Sequence, residues 1–106
     1  MSQAPVTNPK IVTLQLLKYS FCEDFVNKRM PFRDQHLLHI GTACKNGVAK
    51  AGGASGDPIT DGLIIFAGSK DDVQNFVDND PYYLNGLVTQ YSIEDWYVVS
   101  GYEIFE

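Results

Sequence analysis

The residues best suited to chemistry in this sequence are His36 and His39, the carboxylate of Asp80 held directly before a proline, and Arg33, one helical turn ahead of His36. Imidazole is the side chain whose ordinary pKa suits proton transfer near neutral pH, and a buried carboxylate fixes its tautomer and stabilises its charged form. A pair of His36 and Asp80 would therefore make a general base and its orienter. The plainer reading is a histidine that satisfies a core hydrogen bond and an aspartate that caps a helix end. On the residues alone that plainer reading is the stronger, because single histidines and aspartates are common.

The neighbouring polar residues carry the same double reading. Arg33 is suited to holding an anionic substrate group by bidentate hydrogen bonds, or equally to a surface ion pair with Asp34 or Glu23. His39 stands at i+3 from His36, a spacing that a metal pair can use, but no third ligand follows at a recognisable interval, so no metal is predicted and His39 reads as a solvated or core-edge histidine. Ser69 is a candidate polar contact to substrate, although a helix cap explains it fully. Tyr82, with Tyr83, follows Asp80 and either walls a cleft or packs as ordinary aromatic surface. The glycine-rich run at 51–56 lacks the lysine and spacing of a phosphate loop and reads as a strand end and turn. Cys22 and Cys44 form no CxxC pattern and read as reduced, structural thiols.

These residues need elements to position them. Residues 1 to 9, with Pro5 and Pro9 among small polar neighbours, read as a flexible tail, and 10–106 as a single domain. From Lys10 to Tyr19 a two-residue period puts Val12, Leu14 and Leu16 on one face and Thr13, Gln15, Leu17 and Tyr19 on the other, which predicts a strand. Met30 to Asn46 switches to helical steps through Arg33, His36, Leu37, Ile40 and Cys44, with Pro31 in the first turn and Gly47 just past the end. Val48 to Ala54 predicts a short strand, Ser55 to Gly62 a turn region, and Leu63 to Gly68 a third strand. Ser69, with Asp72 at the capping-box position, predicts a helix whose buried stripe is Val73, Phe76 and Val77. Pro81 ends that helix, so Asp80 is expected to leave it and project from its C-terminal rim. A turn through Asn85 and Gly86 leads to a last strand between Val88 and Val99.

The order βαββαβ predicts a ferredoxin-like α+β domain, an antiparallel sheet with both helices on one face. Its strands read as apolar on both faces, Ile64 and Phe66 opposing Leu63 and Ile65, so a second subunit is expected to cover the face without helices.

Composition bounds the partners. The 106 residues are 44% hydrophobic and 20% charged, within the range of ordinary globular domains. Thirteen acidic residues against eight basic ones give a formal charge of −5, which argues against nucleic acid and anionic membrane surfaces as partners. The apolar stretch from Ile11 to Phe21 is broken by Gln15 and Lys18 and reads as a strand, not a secretory signal, so a cytoplasmic address is the expectation.

Three segments in register, Arg33-Asp34-Gln35-His36-Leu37, Ala51-Gly52, and Asp80-Pro81-Tyr82 followed by Gly86, make the stretch from about Lys10 to Val99 resemble the YCII-related (YciI-like) family. The departures are Gly53, where the family commonly has proline, and the added tail with Pro5 and Pro9. That resemblance implies a ferredoxin-like fold dimerising into an α+β barrel, a site centred on a histidine and an aspartate that fall on His36 and Asp80, and, in some members, dehalogenating or ring-modifying activity without an organic cofactor. The expectation is a cofactor-independent enzyme acting on a small metabolite by proton transfer, of lyase, isomerase or hydrolase type, with Arg33, Ser69 and Tyr82 as substrate contacts. The rivals are a non-catalytic ligand-binding or regulatory dimer and a purely structural oligomerisation module.

Overall fold

Alternation of apolar and polar residues makes one strand the spine of the molecule. In the computed structural model, which describes residues 10–106, β1 (Val12–Phe21) lies between two antiparallel partners. The expected tail at 1 to 9 lies outside the described residues. After β1 come α1 (Phe25–Lys28), a 3-10 turn (Met30–Phe32), α2 (Arg33–Lys45), β2 (Ala49–Gly56) and β3 (Ile59–Phe66). They are followed by α3 (Lys70–Asp78), α4 (Pro81–Leu84), β4 (Val88–Val98) and a second 3-10 turn (Tyr102–Phe105). The sheet order is β2-β3-β1-β4, every pair antiparallel, so the chain has the expected ferredoxin-like α+β fold.

Register decides which side chains meet the helices. Leu17 stands opposite Ile64 and Ile93, and Tyr19 opposite Gly62 and Tyr91. Leu17, Tyr19, Ile64 and Phe66 are buried with Val73, Phe76 and Val77 of α3, which is the stripe expected for that helix. Burying such side chains stabilises the fold by about 1.5–3 kcal/mol each. Ser69 accepts from the Asp72 N–H at 3.1 Å while Asp72 accepts from the Ser69 N–H at 2.9 Å, so the capping box forms as the spacing implied. By contrast α2 has no fully buried residue; it leans on the core through half-buried Ile40 and Ala43.

The other face differs from the expectation of uniform apolarity. Leu16 pairs across to Ile65, but Lys18 faces Leu63 and Ser92, and Ser20 faces Asp61 and Gln90. Half of this face is therefore polar. At its apolar end, Trp96 meets Phe105 of the C-terminal 3-10 turn edge to face at 5.9 Å, and Leu14 and Val98 are buried.

Two boundaries and one side chain move for physical reasons. The first helix begins at Arg33, because Met30–Phe32 closes as a separate 3-10 turn and α1 precedes it. The third strand begins at Ile59, since Ile59, Asp61 and Gly62 find ladder partners in Gly56, Ser55 and Ala54, and pairing overrides the turn preferences of that segment. Asp80 leaves α3 as expected, yet it does not project from a rim; it is fully buried.

Candidate functional site

The burial of Asp80 follows from its neighbour. Proline disfavours helical backbone in the residue before it, and Asp80 takes φ −76° and ψ 121°. The chain restarts at once as α4, with Pro81 at its first position and the Asp80 side chain as its cap, Oδ1 accepting from the Tyr82 N–H at 3.0 Å. That turn points the carboxylate inward. From β1, the Tyr19 hydroxyl donates to Asp80 Oδ2 at 2.8 Å, and from α2 His36 Nδ1 lies 2.8 Å from Asp80 Oδ1. Three elements thus converge on one carboxylate.

An ionised carboxylate only accepts, so His36 donates from Nδ1 and its remaining nitrogen, Nε2, is left with the lone pair when the ring is neutral. Nε2 makes no hydrogen bond among the described residues, and the ring lies in a cavity wall. The imidazole stacks on the Tyr82 ring at 3.8 Å and 9°, which locks its plane. Burial, and then the charge of Asp80, push the Tyr19 phenol far above its ordinary pKa, so that it remains a donor to the carboxylate. Burial also raises the Tyr82 phenol, while Arg29 and Arg33 pull it the other way.

The cavity is about 270 Å³ and lies between α2 and the sheet. Its polar wall is Arg29, Arg33, His36 and Tyr19; its apolar walls include Phe21, Phe25, Ile40, Ile59 and Tyr82. Gly52 and Gly62 form part of the floor. A Cβ at Gly62 would lie 2.8 Å from Phe21 Cζ, so only glycine lets that ring lie over the sheet, where it stacks on Phe25 at 3.7 Å. A wider depression of about 570 Å³ occurs on the helix-free face, around Lys18, Ser20, Asp61, Gln90 and Ser92. It is more open and Lys18 there pairs with Glu94 at 3.4 Å; of the buried polar network Tyr19 lines both hollows, whereas His36 and Tyr82 line the smaller cavity alone.

The structure brings His36, Asp80, Arg33 and Tyr82 together and leaves Ser69 away from them. Ser69 caps α3 and does not line the cavity. His39 turns to α3, its Nε2 2.9 Å from the Phe76 carbonyl and its ring stacked on Phe76, so it shares no ligand geometry with His36. Among the described residues, no three His, Cys, Asp or Glu side chains cluster as metal ligands. No carboxylate of the described residues pairs with Arg33, so the alternative of a surface ion pair with Asp34 or Glu23 is not formed. Tyr19 and Arg29 are participants that the pattern of the sequence did not single out. The one available signal was the inward phase of Tyr19 on β1, since a buried tyrosine needs a hydrogen-bond partner.

No protein-family model matches this chain, and no curated protein matches it in sequence. Among solved structures it is similar to 5-chloro-2-hydroxyhydroquinone dehydrochlorinase from Burkholderia phenoliruptrix AC1100 in complex with 2,5-dihydroxybenzoquinone. The two are 25% identical, with a TM-score of 0.66, over 78% of this chain and 92% of that one. The likeness therefore spans nearly all of that enzyme. No helix among the described residues is long and apolar enough to cross a membrane.

Proposed function

We propose that this chain is a cofactor-independent enzyme of the YCII-related kind that moves a proton on a small ring compound, of lyase type, with His36 as the base. The observation that carries the reading is the buried carboxylate with three donors, one of which, His36, lines the cavity and keeps an Nε2 with no hydrogen-bond partner among the described residues as a proton acceptor. Asp80 would hold the tautomer and stabilise the imidazolium formed when the proton arrives; such positioned general bases contribute about 10²–10⁴-fold. The electron pair left on the substrate then expels a leaving group or shifts the proton elsewhere on the ring. Arg33 and Tyr82 would position the ring. A cavity of about 270 Å³ lies at the small end of ligand sites and suits a single ring.

The similar dehydrochlorinase, with its bound dihydroxybenzoquinone, supports a hydroxylated ring as the substrate class. The network is equally compatible with a binder that does no chemistry, since Asp80 also caps α4. Two measurements separate the readings: chloride released from 5-chloro-2-hydroxyhydroquinone, and equilibrium binding of 2,5-dihydroxybenzoquinone. The expected result is release by the wild type, a fall of about 10²-fold or more in His36→Ala, and binding retained in both. Binding without release by the wild type would make the chain a binder. Neither binding nor release would refute the hydroxylated-ring reading.

A further inference from the structure

We infer that the cavity selects its ring ligand in the ionised form, a phenolate or enolate oxygen held by Arg29 with Arg33 beside it. This rests on the cavity being the small-molecule site proposed above, and it adds the charge state of what enters.

Arg29 follows α1 and lines the cavity, and its Nε is buried without any hydrogen-bond partner. Guanidinium stays charged in proteins, and a buried donor left unpaired costs free energy that a ligand acceptor would restore. The group stands over the Phe25 ring at 5.5 Å, a contact that fixes its place but accepts no hydrogen bond. Arg33 shares the wall, and no carboxylate of the described residues pairs with either arginine. The one carboxylate nearby, Asp80, already receives Tyr19, Tyr82 and His36. Two guanidinium charges therefore line the cavity against the single buried carboxylate of Asp80, an excess of positive charge in a chain whose formal charge is −5.

Tyr82 is an internal reporter of the same field. Burial is the larger effect and keeps its phenol raised, while both arginines act against that and favour its phenolate. A ligand oxygen placed directly on the guanidinium would gain charge-assisted hydrogen bonds as well. Phe21, Phe25 and Tyr82 supply the aromatic surface for the rest of the ring.

The probe is 4-nitrophenol, whose two forms absorb differently, with 4-nitroanisole as the analogue that cannot ionise. Binding is measured below and above the ionisation of the free phenol. The groups that face the cavity are Tyr19 from β1, Arg29 after α1, Arg33 and His36 from α2, and Tyr82 from α4, with Asp80 behind His36; the anisole reads out any titration among them.

The expected result is that the wild type binds the phenolate about tenfold tighter than the phenol or better, so that the bound ligand ionises about one pH unit lower than the free one. Arg29→Gln should lose this preference with its circular dichroism unchanged. Arg29→Lys, which keeps the charge and removes Nε, should shrink it, and serves if the glutamine variant does not fold. A bound phenol that ionises no lower than the free one overturns the inference alone. A preference retained in full by either Arg29 variant overturns the assignment to Arg29. Failure to bind either probe sinks this inference and the small-ring reading together.

Discussion

Replacing Asp80 by alanine strips a buried acceptor from three donors at once. The Tyr19 hydroxyl and the Tyr82 N–H lose their only partner in a buried setting, while His36, with 14% of its side chain exposed, has recourse to water or to its other tautomer. A buried donor left unpaired costs about 1–3 kcal/mol. Two such donors, of which the Tyr82 N–H is itself the α4 cap, give about 2–6 kcal/mol, a large share of the roughly 5–15 kcal/mol that holds a domain folded. Asparagine is a milder change. Its Oδ1 still accepts from Tyr82 N–H and His36, and its Nδ2 donates to the Tyr19 oxygen once that hydroxyl rotates. Exchanging charge-assisted bonds for neutral ones should then cost about 1–2 kcal/mol. The assay is urea unfolding at neutral pH and one fixed protein concentration, with the slopes compared before midpoints are converted to free energies. An alanine variant within about 1 kcal/mol of wild type, at unchanged slope, would refute the idea that this carboxylate organises the site.

The Tyr19 phenol binds its proton more tightly in the folded chain than in the unfolded one, whose tyrosines ionise near pH 10, about the ordinary value. Its contribution to stability is therefore complete below about pH 10 and is lost as the pH rises further. Tyr19→Phe should flatten the alkaline fall in the urea midpoint, and a variant with the wild-type slope would contradict this assignment. The helix-free face, with Leu16, Leu63, Ile65 and Trp96 on it, is expected to pack against a second copy of the chain. Light scattering at micromolar protein should give twice the chain mass, while Leu63→Lys should yield the monomer; a wild-type monomer would remove the dimer from the reading.

What was legible in the sequence was local. The capping box at Ser69 and Asp72 spans three residues, and Gly47 and Gly86 take φ of +78° and +75° where the turns called for glycine. The alternation of β1 correctly divided its two faces, because the strand period is a property of the backbone alone. The start of β3 was hidden, since Asp61 and Gly62 carry turn preferences that only the partner strand β2 overrides. Arg29 was hidden because neither α1 nor the 3-10 turn that flanks it has an apolar period to announce it.

The site itself is a long-range object, and that is why its parts were visible before its arrangement was. Tyr19 and Asp80 are 61 residues apart, and His36 and Asp80 are 44 apart. A proline after an aspartate indicates only that the backbone turns there; whether the carboxylate then faces solvent or core depends on what β1 and α2 bring to it. Here they bring a phenol and an imidazole, and the carboxylate goes inward because it finds three donors there to replace water. The same fact links stability to the proposed chemistry. A carboxylate buried for packing alone would need only its donors satisfied, whereas this one fixes a histidine that lines an arginine-bearing cavity. Asp80→Asn separates the two roles, because it keeps the three contacts and removes the charge: proton transfer should fall far more than stability does, and equal losses would mark the pair as structural.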